Sequence, residues 1–182
     1  MTRIIEIGTT RIGILEIAGC CGVGRREAER IATRRILCDM LGHDAQPGHT
    51  QAGAPTLPGY HISISHSRLL AAVALDPVRP VGIDVEEYRP TLETVRSRFT
   101  TDEELALISS QTSPLPNSST SPLLLAWTSK EAIYKTLPEV GPDFIRDIAL
   151  LSPASARAAS RLFTLTHIPL PPSLLTLAYP ET

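Results

Sequence analysis

The sequence predicts an α+β fold. Two amphipathic or apolar helical stretches, at 25–41 and 123–137, are set among short β-rich runs that follow no β-α-β rhythm. Several of those runs alternate polar and apolar residues, as antiparallel strands do. With 182 residues, 17 basic against 19 acidic, the chain is long enough for a real core and close to neutral. Charge therefore offers no reason to expect nucleic acid or an anionic membrane as a partner. No apolar run reaches membrane length, and acidic Glu6 precedes any long hydrophobic stretch, so no secretory signal is expected. Cys20, Cys21 and Cys38 show no CxxC spacing. A disulfide framework or zinc site is not expected, and a cytoplasmic address follows.

In chain order, residues 3–18 hold two β-rich runs broken at Gly8-Thr9-Thr10, a hairpin signal. After a glycine-rich turn at Cys20–Gly24, residues 25–41 form a helix stopped by Gly42. Its expected core face is Ala28, Ile31, Ala32, Ile36 and Leu41, while Arg26, Arg30 and Arg34 make a basic stripe. That stripe is either a solvated face balanced by Glu27 and Glu29 or an anion contact. A loop at 43–60 leads into a strand at His61–Ser67, and Leu69–Leu75 reads as a strand buried on both faces. Asp76-Pro77 turns the chain into a strand at Pro80–Glu86, expected to pair antiparallel with its predecessor. Residues 92–110 read as helical with a break near Phe99-Thr100-Thr101, where Thr100 and Glu103 fit a capping box. Residues 111–122 are rich in serine and proline, as in a surface loop. Strands are expected at 144–151, 161–168 and 173–179, separated by Ser/Ala- and Pro-rich turns.

Chemistry concentrates in Trp127-Thr128-Ser129-Lys130-Glu131-Ala132-Ile133-Tyr134-Lys135. This segment holds the single tryptophan and both lysines of a chain whose other fifteen basic residues are arginine. Glu131 and Lys135 lie four apart and share a helix face, either as a buried ion pair or as part of a site. Asp84 and Glu86, two apart in a strand, leave the same face, with Ile83 and Val85 directed to the core. Paired carboxylates repel unless a cation lies between them, and an oxygen-only set suits Mg2+, with Glu131 as a third ligand. Each feature has a plainer reading. Such acids are often solvated turn residues, a lone His66 is more often structural, Ser65 and Ser67 can be turn formers, and Glu103 has its capping role.

The order of the pieces is specific: Ile64-Ser65-His66-Ser67, then Val81-Gly82-Ile83-Asp84-Val85-Glu86, then Arg98-Phe99-Thr100 through Glu103, then Trp127 through Lys135. Over residues 25–150 it resembles the 4'-phosphopantetheinyl transferase superfamily, in particular the surfactin-synthetase-activating type. The resemblance implies two similar lobes, 1–78 and 79–182, forming an intramolecular pseudo-dimer with coenzyme A in the cleft between them. It implies a monomeric enzyme that transfers 4'-phosphopantetheine from coenzyme A to a serine of an apo acyl or peptidyl carrier protein, releasing 3',5'-ADP. By the same resemblance Asp84, Glu86 and Glu131 match the Mg2+-binding acids, and Lys130 and Lys135 match lysines near the diphosphate. His66, Arg34 and, beside it, Arg26 and Arg30 fall where relatives contact coenzyme A phosphates. Glu131 is the first general-base candidate and Glu103 the second. Two departures stand out: Gly53-Ala54-Pro55 replaces a Gly-Lys-Pro of many relatives, and the segment after Lys135 is altered. They keep open a coenzyme-A-binding homologue without transfer, and a Mg2+-dependent nucleotide hydrolase using the same acids is a further alternative.

Overall fold

A computed structural model of the chain describes residues 1–17, 23–112, 121–137 and 143–181. Strands β1 (Arg3–Ile7) and β2 (Thr10–Glu16) form the expected hairpin around Gly8, whose φ is +59°. Helix α1 (Arg25–Leu41) ends as expected at left-handed Gly42, which donates its N–H to the Cys38 carbonyl. A small ribbon, β3 (Gly48–His49) with β4 (Pro55–Thr56), interrupts the following loop. Then come β5 (His61–His66), β6 (Leu70–Asp76) and β7 (Gly82–Glu87). Helix α2 (Thr91–Val95), a single 3-10 turn, α3 (Asp102–Gln111) and α4 (Pro122–Tyr134) lead into β8 (Ile148–Ser152), β9 (Ser155–Ala158), β10 (Arg161–Leu170) and β11 (Ser173–Pro180). The mixture of helices and antiparallel sheet is the α+β class read from the sequence. The glycine-rich turn at 20–24, the Ser/Pro-rich loop and the altered segment after Lys135 fall mostly outside the described residues.

The strands form two antiparallel sheets, β1-β2-β6-β5 and β7-β11-β10-β9-β8. Period-two alternation then sorts side chains into three apolar layers. Ala71, Val73 and Leu75 of β6 face α1, meeting Ala32, Ile36, Leu37 and Met40. Their neighbours Ala72 and Ala74, with Ile12 and Ile14, meet Ile83, Val85, Leu175 and Leu177 of the second sheet. The opposite face of that sheet, through Leu174, Phe163 and Leu165, packs on Leu124, Ile133 and Ile108 of α3 and α4. The order is helix, sheet, sheet, helices.

Four sequence expectations are corrected. Strands β6 and β7 do not pair, because both edges of β6 are taken by β2 and β5 while β7 joins β11. The core face of α1 gains Leu37 and Met40 and loses Ile31, which is 40% exposed, while Leu41 packs on it partly buried. The capping box sits one residue later: Thr101 accepts from the Glu104 N–H, and the Glu104 carboxylate accepts from the Thr101 N–H. Residues 155–158, read as a turn, form β9, whose Ala156 and Ala158 fill the core between larger neighbours.

Candidate active site

Strand β7 carries the acids, and one glycine brings α4 to them. A Cβ on Gly82 would lie 1.9 Å from the Ala132 carbonyl oxygen and 2.8 Å from a Thr136 methyl. Only glycine therefore allows the α4 backbone to rest directly on β7. That contact sets Glu131 and Lys135, which flank Ala132, over the face of β7 that presents Asp84 and Glu86. Ile83 and Val85 point into the core, as the spacing predicts.

Asp84 is buried at the centre of this cluster. Its Oδ1 accepts from Lys135 Nζ at 2.8 Å and from Ser65 Oγ at 2.9 Å, while Lys135 also donates to the Ile83 carbonyl at 2.9 Å. The outer edge of β7 is closed by serines instead of a strand: Ser63 Oγ accepts from the Ile83 N–H and Ser65 Oγ from the Val85 N–H. Ser65 thus ties the two sheets together beside Asp84. Ser67 is a turn residue, accepting from the N–H groups of Leu69 and Leu70.

The electrostatics of the cluster are those of too many carboxylates. Burial, and then the charge of Asp84, pushes the Glu86 carboxyl up to about 7 against the pull of Arg89. Burial and Asp84 also raise Glu131, with Lys135 opposing. Asp84 Oδ2 is buried with no hydrogen-bond partner among the described residues. An orphaned carboxylate oxygen beside two acids that hold protons too tightly is the chemistry of a site that accepts a cation. The three acids are nevertheless not a preassembled ligand set: among the described residues no three metal-ligating side chains are already gathered. Lys135 holds Asp84 Oδ1, and Arg89 holds Glu86 at 3.1 Å.

On the other side of His66 lies a cleft of about 440 Å3 between α1 and the 43–60 loop. Arg26, Arg30, Arg34, Thr33 and His66 line it, together with Gly53 and Pro55 of the loop that departs from Gly-Lys-Pro. The arginine stripe is thus on a concave surface. Arg30 is paired with Glu27 on its own helix and Arg34 with Asp44 across the loop, whereas Arg26 makes no ion pair among the described residues. His66 meets Thr33 Oγ1 at 2.9 Å. Burial, reinforced by Lys135 and Arg25 and opposed by Glu29, lowers its proton affinity. Glu29 also lines the cleft, but Asp84, Glu86 and Glu131 do not; His66, within the field of Lys135, joins the two regions.

Two of the residues named from the sequence lie away from the acid cluster. Lys130, expected at a diphosphate, is fully enclosed and donates to Glu104 Oε2 and the Phe144 carbonyl, each at 2.8 Å. On a helix, adjacent residues point about 100° apart, so Lys130 cannot share the face of Glu131 and Lys135. Glu103, the second general-base candidate, is exposed on the first turn of α3, and its neighbour Glu104 is the carboxylate that reaches inward. The capping signal in the sequence could have found Glu104 had it been placed one residue later.

These features coincide with a known group of proteins. The family model for the 4'-phosphopantetheinyl transferase superfamily matches residues 80–171, which include β7 and α4 with their acids. The chain belongs to that superfamily. It is similar to the 4'-phosphopantetheinyl transferase HetI of Nostoc sp., 34% identical over 125 residues, covering 61% of this chain and 50% of the relative. It is also 31% identical over 81 residues to a 4'-phosphopantetheinyl transferase of Bacillus subtilis, covering 44% of this chain and 34% of the relative. The chain spans half or less of the length of these curated relatives.

Proposed function

We propose that the protein transfers the 4'-phosphopantetheine group of coenzyme A to a serine of an apo acyl or peptidyl carrier protein, as the surfactin-synthetase-activating type does. The observation that carries this reading is the orphaned Asp84 Oδ2 amid Glu86 and Glu131, one histidine away from an arginine-lined cleft. In this reading residues 1–78 and 79–182 act as two similar lobes. Each seats one helix on a strand glycine, Gly13 under α1 and Gly82 under α4. Arg26, Arg30, Arg34 and His66 take the coenzyme A phosphates, and arginines supply the charge that Ala54 lacks.

Asp84, Glu86 and Glu131 would hold Mg2+, which bound there supplies positive charge against the diphosphate. Lys135, which here holds Asp84 Oδ1, would turn to a phosphate oxygen of bound coenzyme A, for which its compact ammonium is suited. Glu131 would take the proton of the carrier serine. The serine oxygen then bonds to the β-phosphorus as the bond to the departing 3',5'-ADP breaks. No enzyme nucleophile is needed.

Incubation with coenzyme A, Mg2+ and a panel of apo carriers, read by intact mass, tests this directly. The expected result is carrier bearing phosphopantetheine. Coenzyme A binding with every carrier unmodified would instead favour a homologue without transfer, and 3',5'-ADP released without carrier would favour a hydrolase.

A further inference from the structure

We propose that the buried Lys130–Glu104 pair is a positioning device that sets the rotation of α4 and thereby aims Glu131. The role rests on the transfer reading above. It differs from the diphosphate contact that the sequence resemblance implies for Lys130.

The pair ties four separate segments to one point. Glu104 Oε2 accepts from Lys130 Nζ, from Thr100 Oγ1 at 3.1 Å and from the Thr101 N–H, while Oε1 accepts from the Leu150 N–H at 2.9 Å. Lys130 adds the Phe144 carbonyl. The start of α3, the middle of α4, the Phe144 turn and strand β8 therefore converge on one ion pair. Lys130 has a fully buried side chain and Glu104 is 13% exposed. One turn earlier on α4, Trp127 packs edge-on against Phe99, 4.9 Å between ring centroids, and against Phe144 at 6.0 Å. The neighbourhood of the α3 start, α4 and the Phe144 turn are thus held twice, once by rings and once by charge, and β8 by charge alone.

The rings bury apolar area and hold α4 against its neighbours. A buried ion pair with defined hydrogen bonds is directional, and it adds little net stability because desolvation offsets the attraction. Its value here is geometric. Glu131 is the next residue after Lys130, so a small rotation of α4 moves its carboxylate directly relative to Asp84. A misplacement near 1 Å can cost roughly a hundredfold in rate.

The test is the double variant Lys130→Met/Glu104→Leu, compared with wild type for melting temperature, Trp127 emission, and steady-state kcat and KM for coenzyme A. Expected are a melting temperature modestly below wild type, because the Leu150 N–H and the Phe144 carbonyl lose their partners, a KM within about twofold, and a kcat at least about tenfold lower. Glu104→Gln, whose amide oxygen can still accept from Leu150 or Lys130, should retain more kcat than the double variant. Unchanged kcat in a folded double variant overturns the proposal. So does a rise in KM with kcat kept, the outcome of a direct phosphate contact. If the double variant melts well below wild type, Glu104→Gln decides: lower kcat at unchanged KM supports the role, and full kcat overturns it. A wild-type protein inactive on every carrier overturns the transfer reading and this role with it, whereas an active wild type with an unimpaired variant overturns this role alone.

Discussion

The two charged regions on either side of His66 are built in opposite ways. On α1 the arginines are exposed, and the partners of Arg30 and Arg34 are exposed or half-exposed acids on the same helix or the adjoining loop. Such pairs are weak and screened, so an incoming anion exchanges for them at little cost. On β7 and α4 the charges are buried, and each partner is fixed by main-chain geometry: Lys135 on Asp84 and the Ile83 carbonyl, Lys130 on Glu104 and the Phe144 carbonyl. There a lost partner leaves a desolvated charge. The difference is one of cost: the partners along the cleft exchange readily, whereas those around Asp84 and Lys130 are held by hydrogen bonds out of solvent.

The largest effect should come from the carboxylate proposed as general base. Glu131→Gln is expected to lower kcat by about 10²–10⁴-fold with the melting temperature nearly unchanged. An active Glu131→Gln enzyme would remove Glu131 from the general-base role. Next are the two glycines that seat the helices. In Gly82→Ala the new methyl meets backbone, which cannot move aside, and a loss of roughly 3 kcal/mol or more together with transfer activity is expected. Gly13 faces only side-chain atoms, Ile36 Cγ2 at 2.3 Å and Met40 Sδ at 2.7 Å. Met40 can change rotamer but β-branched Ile36 is stiff, so Gly13→Ala should cost about 2–3 kcal/mol in urea unfolding and leave kcat intact.

Asp76 tests the first sheet alone. Burial would raise its proton affinity, but hydrogen bonds from Thr10, the Val78 N–H, Thr9 and the Arg79 N–H outweigh it and hold its carboxyl down to about 2. A folded-state value below the unfolded one gives stability that is complete above pH about 4 and lost as pH falls through about 2. Asp76→Asn should therefore lose about 2 kcal/mol at pH 7, and the gap to wild type should close between pH 4 and 2 in acid titrations followed by urea melts. The smallest effect belongs to the cleft. Arg34→Ala should raise KM for coenzyme A by about fivefold, with kcat and melting temperature unmoved and the effect shrinking at high salt. A fall in kcat there would blur the separation between the two regions.

Much was legible from local pattern. The β1–β2 hairpin, the limits of α1 at Arg25 and Gly42, and the two faces of β7 follow from turn chemistry and period. The acids and lysine of the cluster were named from their spacing, and the arginine stripe from its four-residue repeat. What local pattern could not supply was partner choice. Ser63 and Ser65 carry no sign that they close the free edge of β7, and β6 gives no hint that both its edges are taken by other strands.

Sequence by itself determined the α+β class, the helix carrying Glu131 and Lys135, and the strand face shared by Asp84 and Glu86, because these depend on residues a few positions apart. The family signature is equally local. Only the tertiary structure decided that Lys130 is spent on Glu104 while Lys135 sits on Asp84. Both lysines lie on one short helix with identical chemistry. Which of them is buried depends on the neighbours that α4 meets when it settles on Gly82, and those neighbours come from strands and turns far away in the chain.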